Sequence, residues 1–444
     1  MPGGTWTSQN KVRPGVYIRF TSTRGLGLTV SDRGTVAICE PMSWGPVGVV
    51  QTVEAGANTT PFCGYDITSP NARFLEQIFL GTNRTAGANT VLLYRPTASG
   101  SAKAAVTTGV LTATALYPGI RGNDITVVIT EEVDAETFTV DTVVDGVVVD
   151  EQTGIANVSD LTANSWVTWS GSGAVAATTG TALTGGADGT VEAAAYSSFL
   201  TAIEPYKFDI LIYDGADPTV QAAMVSFIKR MNDDNGQYCQ LVAANLTSPD
   251  SRYVLNVMSP VTLSDGTELT MQQVTWWVGG ASAGAMYNQS LTNATYPGAV
   301  STTMLTNSQV IAALNGGQLI LTGDNGRVYI EQDINSLTTY TTDITEVYRY
   351  NRTIRLANTI ANDLYQQFSD NYIGVVNNNE LGRSMFQSTI VGYLLEIQQN
   401  QGIQNFEASD VTVEPGEAIN AIVVNLSIQP VGSVEKIYIT ISMD

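Results

Sequence analysis

The last 24 residues of the chain (421–444), AIVVNLSIQPVGSVEKIYITISMD, contain two β-strand patterns placed back to back. Large aliphatic residues recur at every second position in both patterns, namely Ile422, Val424, Leu426 and Ile428 in the first and Ile437, Ile439 and Ile441 in the second. A period of two residues is typical of a half-buried strand. Residues 429–433, with Pro430 and Gly432, separate the two patterns. A terminal ribbon of two strands is marginally stable alone, so either the chain's own sheet or another molecule is predicted to cover its edges.

The start of the chain carries a shorter strand pattern, VRPGVYIRF at residues 12–20. Its β-prone positions are Val16, Tyr17, Ile18 and Phe20. The pattern lies between a Gly/Thr/Ser-rich start and a loose connector at residues 21–34. A strand tethered by flexible chain at each terminus suits the exchange of strands between subunits. The alternative is that both termini complete a sheet within the chain itself.

Length and composition limit the class of protein. With 444 residues, 43% of them hydrophobic, the chain is long enough for about two to four domains with buried cores. Charged residues make up 14%, against roughly 25% in an average soluble domain, which favours large contact surfaces with little charge repulsion. The net charge of −21, without any run of Lys or Arg, argues against a nucleic acid as partner.

The residue types narrow the possible chemistry further. The chain has no histidine, which excludes Ser-His-Asp and Cys-His catalysis and histidine-ligated zinc. Cys39, Cys63 and Cys239 are far apart, without CxxC spacing, and are predicted to be small buried residues in a reducing compartment. The first residues lack the apolar region of a signal peptide, and no apolar run approaches the ~20 residues of a membrane span. No phosphate-loop motif occurs, and no catalytic, metal-binding or cofactor-binding residues are predicted.

The order of the patterns predicts an α/β core with an insertion. Strand runs alternate with helix patterns, which favours a mostly parallel sheet; a short helix near residues 251–257 and a strand near Val261 belong to this alternation. A Thr/Val/Gly-rich stretch interrupts it, with a type I′ hairpin signal at Asp145-Gly146, and is predicted to be an acidic β-sandwich. The predicted divisions are an N-terminal arm and linker (1–34), the first part of the core (35–96), the sandwich (97–189), the second part of the core (190–342) and a C-terminal α+β domain (343–444).

The C-terminal domain contains two helix patterns, at residues 344–368 and 381–399. Arg349, Arg352 and Arg355 are spaced by three residues on the first pattern, which predicts a positive strip along one side of the helix. Such a strip is either a solvated face with Glu346 as partner or an electrostatic contact with an acidic surface.

Two other classes of function remain open at this point. Asp209, Asp214 and Asp217 lie at predicted strand ends of the core, where α/β enzymes place ligands, and paired carboxylates can serve glycosidic or metal chemistry. The structural interpretation, in which they are turn and cap residues, is favoured. A secreted β-rich surface protein would need a signal sequence or anchor, and none is recognised.

Three stretches resemble the tail sheath proteins of contractile phage tails and R-type bacteriocin particles. They are RPGVYI (13–18), LYPGIRGNDITVVI (116–129) and the run that starts at GDNGRVYIEQDINSLTTYT (323–341) and continues to the C-terminus. The resemblance covers essentially the whole chain. It is strongest after Gly323 and weakest in the sandwich segment beyond Thr130.

The resemblance implies a subtilisin-like core without proteolytic activity and a chain that assembles with copies of itself. Six-membered rings would stack into a helical sleeve around an inner tail tube, and contraction would drive the tube through the target envelope. The N-terminal strand and the C-terminal ribbon would be the exchanged strands, and the C-terminal domain would face the tube. The implied partners are other copies of the chain, the tube protein, baseplate proteins and tail terminator proteins. The implied location is the bacterial cytoplasm during assembly and then the phage or phage-tail-like particle.

Overall fold

The computed structural model describes residues 3–4, 16–17, 30, 33–133 and 136–443, and the chain divides into two compact units. The core unit comprises Ser31–Asn362 and Pro430–Asp444. The small unit comprises Met1–Val30 and Asp363–Gln429. The predicted strand positions Ile18 and Phe20 lie outside the described residues. The finer division into five segments stays a prediction.

Helices and strands alternate through most of the described residues. The helices are α1 (Thr60–Cys63), α2 (Arg73–Leu80), α3 (Ala193–Ile203), α4 (Pro218–Asp233), α5 (Met271–Gly284), α6 (Asn307–Asn315), α7 (Asn351–Asn371) and α8 (Glu380–Gln399). The strands are β1 (Gly3–Gly4), β2 (Val16–Tyr17), β3 (Thr35–Cys39), β4 (Val50–Glu54), β5 (Thr90–Tyr94), β6 (Ala105–Thr108), β7 (Leu111–Ala115), β8 (Ile125–Glu131), β9 (Phe138–Val144), β10 (Val147–Ile155), β11 (Val167–Gly171), β12 (Thr178–Ala182), β13 (Ile210–Tyr213), β14 (Gln240–Ala244), β15 (Val254–Val257), β16 (Val261–Leu263), β17 (Glu268–Leu269), β18 (Ala299–Thr302), β19 (Gln318–Leu319), β20 (Leu321–Asp324), β21 (Arg327–Ile330), β22 (Ile403–Gln404), β23 (Val411–Pro415), β24 (Ile422–Leu426) and β25 (Gln429–Pro430).

A seven-stranded sheet forms the centre of the core unit, in the order β19-β15-β14-β13-β3-β5-β4. All neighbouring strands are parallel except β4, which runs antiparallel to β5 at one edge. The inner strands are unbroken buried runs, such as ILIY in β13, because both faces of the sheet are covered. The sheet is mostly parallel, as the alternation of strand and helix patterns predicts.

Helices cover the two faces of this sheet in separate layers. Ile78 of α2 and Trp277 of α5 belong to the hydrophobic cluster on one face. Phe199 of α3 and Met224 of α4 belong to the cluster on the other face. The small residues of α5 allow close packing, since a Cβ on Gly280 would lie 2.0 Å from the carbonyl oxygen of Ile78. This arrangement matches the doubly covered sheet expected from the sequence.

The segment between β5 and α3 folds as a β-sandwich within the core unit. A four-stranded sheet (β10-β9-β8-β12) faces a three-stranded sheet (β11-β7-β6). Leu111 and Ala113 from one sheet and Val127, Ile129 and Val140 from the other belong to one buried cluster. Inward-facing residues therefore alternate with outward-facing ones along both sheets, as in other sandwiches.

The turns of the sandwich follow the glycine signals of the sequence. Asp145 and Gly146 connect β9 to β10 with positive φ angles of 52° and 78°, the combination that a type I′ hairpin requires. The chain enters and leaves the sandwich side by side. The amide of Ser99 donates to the carbonyl of Thr190 at 2.8 Å, and that of Ala102 to Ala187 at 2.9 Å.

Arg121 joins the sandwich to the α/β part of the core unit. Its side chain is nearly buried, and Nε donates to the carbonyl oxygen of Gly64 at 3.0 Å. Its terminal nitrogens pair with Asp124 at 3.0 Å and with Asp145 at 2.6 Å. The guanidinium also lies 4.2 Å from the centre of the Tyr65 ring. One side chain thus holds the β9–β10 hairpin turn of the sandwich against the loop that follows α1.

The small unit is built on α8 and on a two-stranded sheet. Asn379 caps α8, its side-chain oxygen accepting from the amide of Gly382 at 2.8 Å. Phe386 packs against Phe368 of α7 and against Tyr372 directly after this helix, with ring centres 5.1 Å and 4.7 Å apart. The prediction of a helix at residues 381–399 is confirmed by α8 to within one residue.

Two predicted helices need correction. The short helix near residues 251–257 is instead the buried strand β15, which pairs in parallel with β14 and β19. Burial on both faces favours a strand for the run VLNV, whose length cannot distinguish the two structures. The predicted helix 344–368 begins at Asn351, because Glu346–Arg349 forms a 3₁₀ turn and Tyr350 is extended. Ile334 bridges Tyr350 as in a sheet, which interrupts the helix there.

The prediction of a terminal ribbon is also wrong, because the two C-terminal strand patterns do not pair with each other in one chain. β24 pairs antiparallel with β23, and the amide of Asn378 supports the connecting turn by donating to the carbonyls of Ile419 and Ala421. Its positions alternate as predicted, since Ile422, Val424, Leu426 and Ile428 are half-buried and the residues between them are exposed. Residues 437–441 form no helix or strand. The partner of β24 is instead β23, six residues earlier in the chain, with five residue pairs in register from Val411–Leu426 to Pro415–Ile422.

The Arg121 contacts generate a stability prediction. Arg121→Met keeps an apolar side chain but leaves the Gly64 carbonyl without its donor and removes two ion pairs. We expect the free energy of unfolding to fall by about 2 kcal/mol, measured by urea unfolding with tryptophan fluorescence. The control is Arg327→Met at an exposed position, where a change of at most about 0.5 kcal/mol is expected. Equal losses in the two variants would contradict the assigned role of Arg121.

Candidate functional site

A buried ion pair lies where α7 begins in the core unit. A terminal nitrogen (NH2) of Arg355 is 2.5 Å from Oδ2 of Asp333, and the two side chains are 0% and 1% exposed. The same nitrogen also donates to the carbonyl oxygen of Gln289 at 2.8 Å. A buried charge is stable only when it is paired and hydrogen-bonded, so this arginine fixes α7 against the loops that surround Asp333.

Asp333 is the centre of a larger hydrogen-bond network. Its Oδ1 accepts from the side-chain amide of Asn351 at 3.0 Å, and its Oδ2 accepts from the backbone amide of Leu291 at 2.9 Å. The backbone amide of Asp333 donates to the hydroxyl of Thr292 at 3.0 Å. Three separate chain segments therefore meet at one carboxylate.

The predicted arginine strip does not form on the surface of the core unit. Arg355 is fully buried in the pair with Asp333. Arg349 lies in the 3₁₀ turn before α7, and its guanidinium donates to the carbonyl of Leu314 at the last turn of α6. Arg352 is half-buried, and burial together with the neighbouring Arg355 lowers its pKa. Spacing alone places the three residues on one side of a helix but says nothing of what covers that side.

The C-terminal segment of the core unit, residues 430–436, is held beside this network. Oε1 of Glu435 accepts from the hydroxyl of Thr292 at 2.8 Å, and Oε2 accepts from the side-chain amide of Gln332 at 2.7 Å. A cavity of about 500 Å³ separates the segment from α7 and is lined by Asp333, Tyr350 and Arg352, among others. The segment is thus attached by polar contacts and packs loosely.

Beyond this attachment the chain is exposed. Ile437, Tyr438, Ile439 and Ile441 are 76%, 89%, 78% and 77% exposed, respectively. Monomeric soluble proteins rarely expose a run of large apolar side chains of this kind, and such runs mark interaction sites. The second strand pattern of the sequence is therefore present as an uncovered segment in the isolated chain.

The N-terminal strand positions that can be described belong to the small unit. Val16 and Tyr17 pair in parallel with Gly3 and Gly4. β23 and β24 form a separate sheet of two strands in the same unit. Short sheets of two strands leave edges to which a further strand can be added.

The three aspartates of the enzyme hypothesis do not converge. Asp209 precedes β13, where it pairs with Arg33 at 3.2 Å and accepts from the amides of Gly34 and Thr35. Asp217 caps α4, accepting from the amides of the first turn. Asp214 follows β13, so it lies at the opposite end of this strand from Asp209, about 16 Å away at ~3.3 Å per residue.

The structure brings a different carboxyl pair together at the carboxyl ends of the parallel strands. Glu40 follows β3 and Asp214 follows the neighbouring β13, so the two carboxyls lie close to each other at the same end of the sheet. Burial raises the pKa of both carboxyls, and the neighbouring Asp214 raises the pKa of Glu40 further. The indole of Trp276 donates to Asp214 at 2.8 Å. The sequence shows that each carboxyl residue directly follows a strand. It does not show that the two strands are neighbours, which only the strand order of the sheet reveals.

Within the described ranges, no group of three or more His, Cys, Asp or Glu residues is placed to hold a metal ion. In the same ranges, no helix combines the length and hydropathy needed to cross a bilayer.

Comparison with known proteins gives a consistent family. Models of phage tail sheath domains match four successive parts of the chain: the domain III N-terminal region of the tail sheath protein Gp18 (33–95), the β-sandwich domain (98–188), the central domain (189–336) and the C-terminal domain (343–444). The Phage-like element PBSX protein XkdK of Bacillus subtilis (strain 168) is 33% identical over 100% of both chains.

Solved structures agree with this result. The sheath tail protein from Desulfitobacterium hafniense is 39% identical, with a TM-score of 0.86 over 96% of this chain and 99% of that one. The sheath tail protein from Listeria innocua is 32% identical, with a TM-score of 0.77 over 93% of this chain and 95% of that one. The shared fold, with its inserted sandwich, defines a structural component of a phage tail. The chain belongs to the phage tail sheath protein family, as the resemblance in the sequence predicts.

The buried pair Asp333–Arg355 leads to a prediction of stability. In Asp333→Asn the arginine stays buried without a compensating charge, so we expect the free energy of unfolding to fall by about 3–5 kcal/mol. Urea unfolding measures this loss, and Asp343→Asn at an exposed position serves as the control. The double variant Asp333→Leu/Arg355→Met should lose less than the sum of its single changes, because neither partner is then left charged and alone. Additive losses would show that the pair does not act as a unit.

The pair Glu40–Asp214 leads to a prediction of pH dependence. Its carboxyls have pKa values raised above the ordinary 4.5 and 3.8, so the folded chain holds a proton that the unfolded chain releases. This stabilisation is complete below those ordinary values and is lost as the pH rises through the raised values. In Glu40→Gln the amide replaces the protonated carboxyl, so the melting temperature should fall less between pH 5 and pH 9 than in the wild type. Glu417→Gln, at an exposed position, should keep the wild-type profile.

Proposed function

We propose that this chain forms six-membered rings that stack helically into a sleeve around an inner tail tube, and that the sleeve contracts to drive the tube through the target envelope. Membership of the tail sheath family supports a structural role in the tail. The observation that carries the proposal of a polymer is the exposed apolar segment at residues 437–443. An isolated chain gains nothing from such a segment, whereas a neighbouring copy can cover it.

Exchange of strands is the proposed means of assembly. The segment with Ile437, Ile439 and Ile441 would add to a sheet edge of a neighbouring copy, with main-chain hydrogen bonds for affinity and the alternating side chains for fit. The other proposed participants are Val16, Tyr17, Ile18 and Phe20 near the N-terminus and Ile422, Val424, Leu426 and Ile428 around β24. The two-stranded sheets of the small unit support this proposal, because each has short, open edges.

The proposed contraction depends on a lattice with two arrangements. Subunits held in an extended lattice by tube and baseplate contacts would rotate outward and bury more surface between neighbours after triggering. A gain of a few kcal/mol per subunit, on the order of ordinary interface rearrangements, adds up over many copies in a cooperative lattice. The exchanged strands would stay paired during the motion if the connectors at residues 21–34 and 429–433 allow the bodies to move, as we propose.

The remaining proposed partners are the tube protein, the baseplate and the tail terminator. Arg349 and Arg352 are the candidates for the tube contact, because both are half-exposed in the core unit, whereas Arg355 is buried. We further propose that the mostly parallel core sheet is of the subtilisin-like type and has no enzymatic role. Assembly in the bacterial cytoplasm and residence in a phage or bacteriocin-like tail complete the proposal.

Deletion of residues 437–444 tests the exchange of strands. We expect the shortened chain to keep its fold, because the removed side chains are exposed, and to lose long assemblies. Negative-stain microscopy and sedimentation of the expressed protein measure the assemblies, and circular dichroism measures the fold. Deletion of residues 1–20 tests the N-terminal strand in the same way. Normal contractile sleeves from either shortened chain would sink the proposed role of that strand.

A matched pair of variants separates the apolar face from the rest of the segment. Ile437→Asp/Ile439→Asp places two charges on the face that is predicted to enter the neighbouring copy and should abolish assembly. Thr440→Asp/Ser442→Asp places two charges on the opposite face of the strand, and most of the assembly should remain. Equal effects from the two variants would show that net charge, and not the buried face, decides the outcome.

A further inference from the structure

Within residues 432–443, Glu435 alone is half-buried, and the residues on both sides of it are exposed. Glu435 is half-buried and bonded through both carboxylate oxygens, whereas residues 436–443 are all exposed. Lys436, the next residue, is exposed, and so is Val434 before it. Glu435 is therefore an isolated point of polar attachment in a segment that is otherwise exposed.

The partners of Glu435 are themselves fixed. The hydroxyl of Thr292 accepts a hydrogen bond from the amide of Asp333, so its own proton is directed to Glu435. Asp333 is held in turn by the buried Arg355. A charge-assisted bond to a prealigned donor is stronger than one between neutral groups and costs less order to form. The chain before Glu435 is loose by comparison, since a Cβ on Gly432 would meet nothing within 4 Å.

The exposed segment has the length of one strand. Residues 437–443 span about 23 Å when extended at ~3.3 Å per residue, which fits a typical strand. Its starting point on the core unit determines which sheet edge of a neighbour it can reach. A shift of one residue at that point would also present the opposite face of the strand.

We propose that Glu435 is a positioning residue, which fixes where the C-terminal strand leaves the core unit so that residues 437–443 of one copy enter a second copy in one register. The inference rests on the proposed exchange of strands and adds the residue that controls it. Glu435 acts through its bonds to Thr292 and Gln332 and does not itself contact the neighbour.

Trypsin tests the attachment in the unassembled full-length chain, because Lys436 follows the anchor directly. Glu435→Ala should be cleaved after Lys436 about tenfold faster than the wild type, with loss of residues 437–444 followed by intact mass spectrometry. Glu435→Gln keeps one acceptor oxygen, so its cleavage rate should lie between those of Glu435→Ala and the wild type. Glu417→Ala, at an exposed acidic position, is the control and should match the wild type. Equal cleavage rates in Glu435→Ala and the wild type would overturn the proposed anchor.

Assembly tests the positioning. The concentration left in solution after sedimentation of assemblies should rise about tenfold in Glu435→Ala, while the midpoint of urea unfolding stays unchanged. Failure of the chain lacking residues 437–444 to assemble, combined with normal assembly of Glu435→Ala, would overturn the positioning role alone. Normal assembly of the chain lacking residues 437–444 would overturn the exchange of strands, and the cleavage rates would still decide whether Glu435 is an anchor.

Discussion

A charged side chain that is buried needs a partner of opposite charge beside it, and in the core unit Arg355 and Asp333 are partners of this kind. Both side chains are at most 1% exposed, so neither can exchange its partner for water. The carboxylate of Asp333 also accepts hydrogen bonds from the side-chain amide of Asn351 and from the backbone amide of Leu291. The start of α7, the loop after α5 and the segment after β21 are thereby held in one arrangement. The attachment of the C-terminal segment through Thr292 is built on that arrangement.

The core unit combines this fixed centre with an uncovered end. The sheet is closed on both faces by helices, and the sandwich is held to it by Arg121. The terminal segment has no such cover, although its side chains are as apolar as those of the core.

Local patterns were sufficient where the local sequence determines the structure. The cap of α4 by Asp217 and the hairpin at Asp145-Gly146 each depend on neighbouring residues, and each was predicted. Failures occurred where distant residues decide. The run that became β15 depends on strands on either side of it, and the burial of Arg355 depends on Asp333, 22 residues away. The pair Glu40–Asp214 follows from strand order, which no short motif records.

The candidate site was predicted in part. Alternation identified the segment with Ile437, Ile439 and Ile441, but it also suggested a partner strand within the chain, which the structure places elsewhere. Glu435 was not predicted, because a single glutamate between Val434 and Lys436 has no distinguishing pattern. Its role depends on the hydroxyl of Thr292, which only the folded chain brings near.

The paired entry and exit of the sandwich has a consequence for how such chains diversify. Ser99 pairs with Thr190 and Ala102 pairs with Ala187, so the chain enters and leaves the sandwich through a stem of two adjacent segments. A stem of this kind accepts a longer, shorter or unrelated module without altering the path of the flanking polypeptide. The module between the two stem strands can therefore change in size or be replaced in the course of evolution, while the α/β part of the core unit keeps its fold.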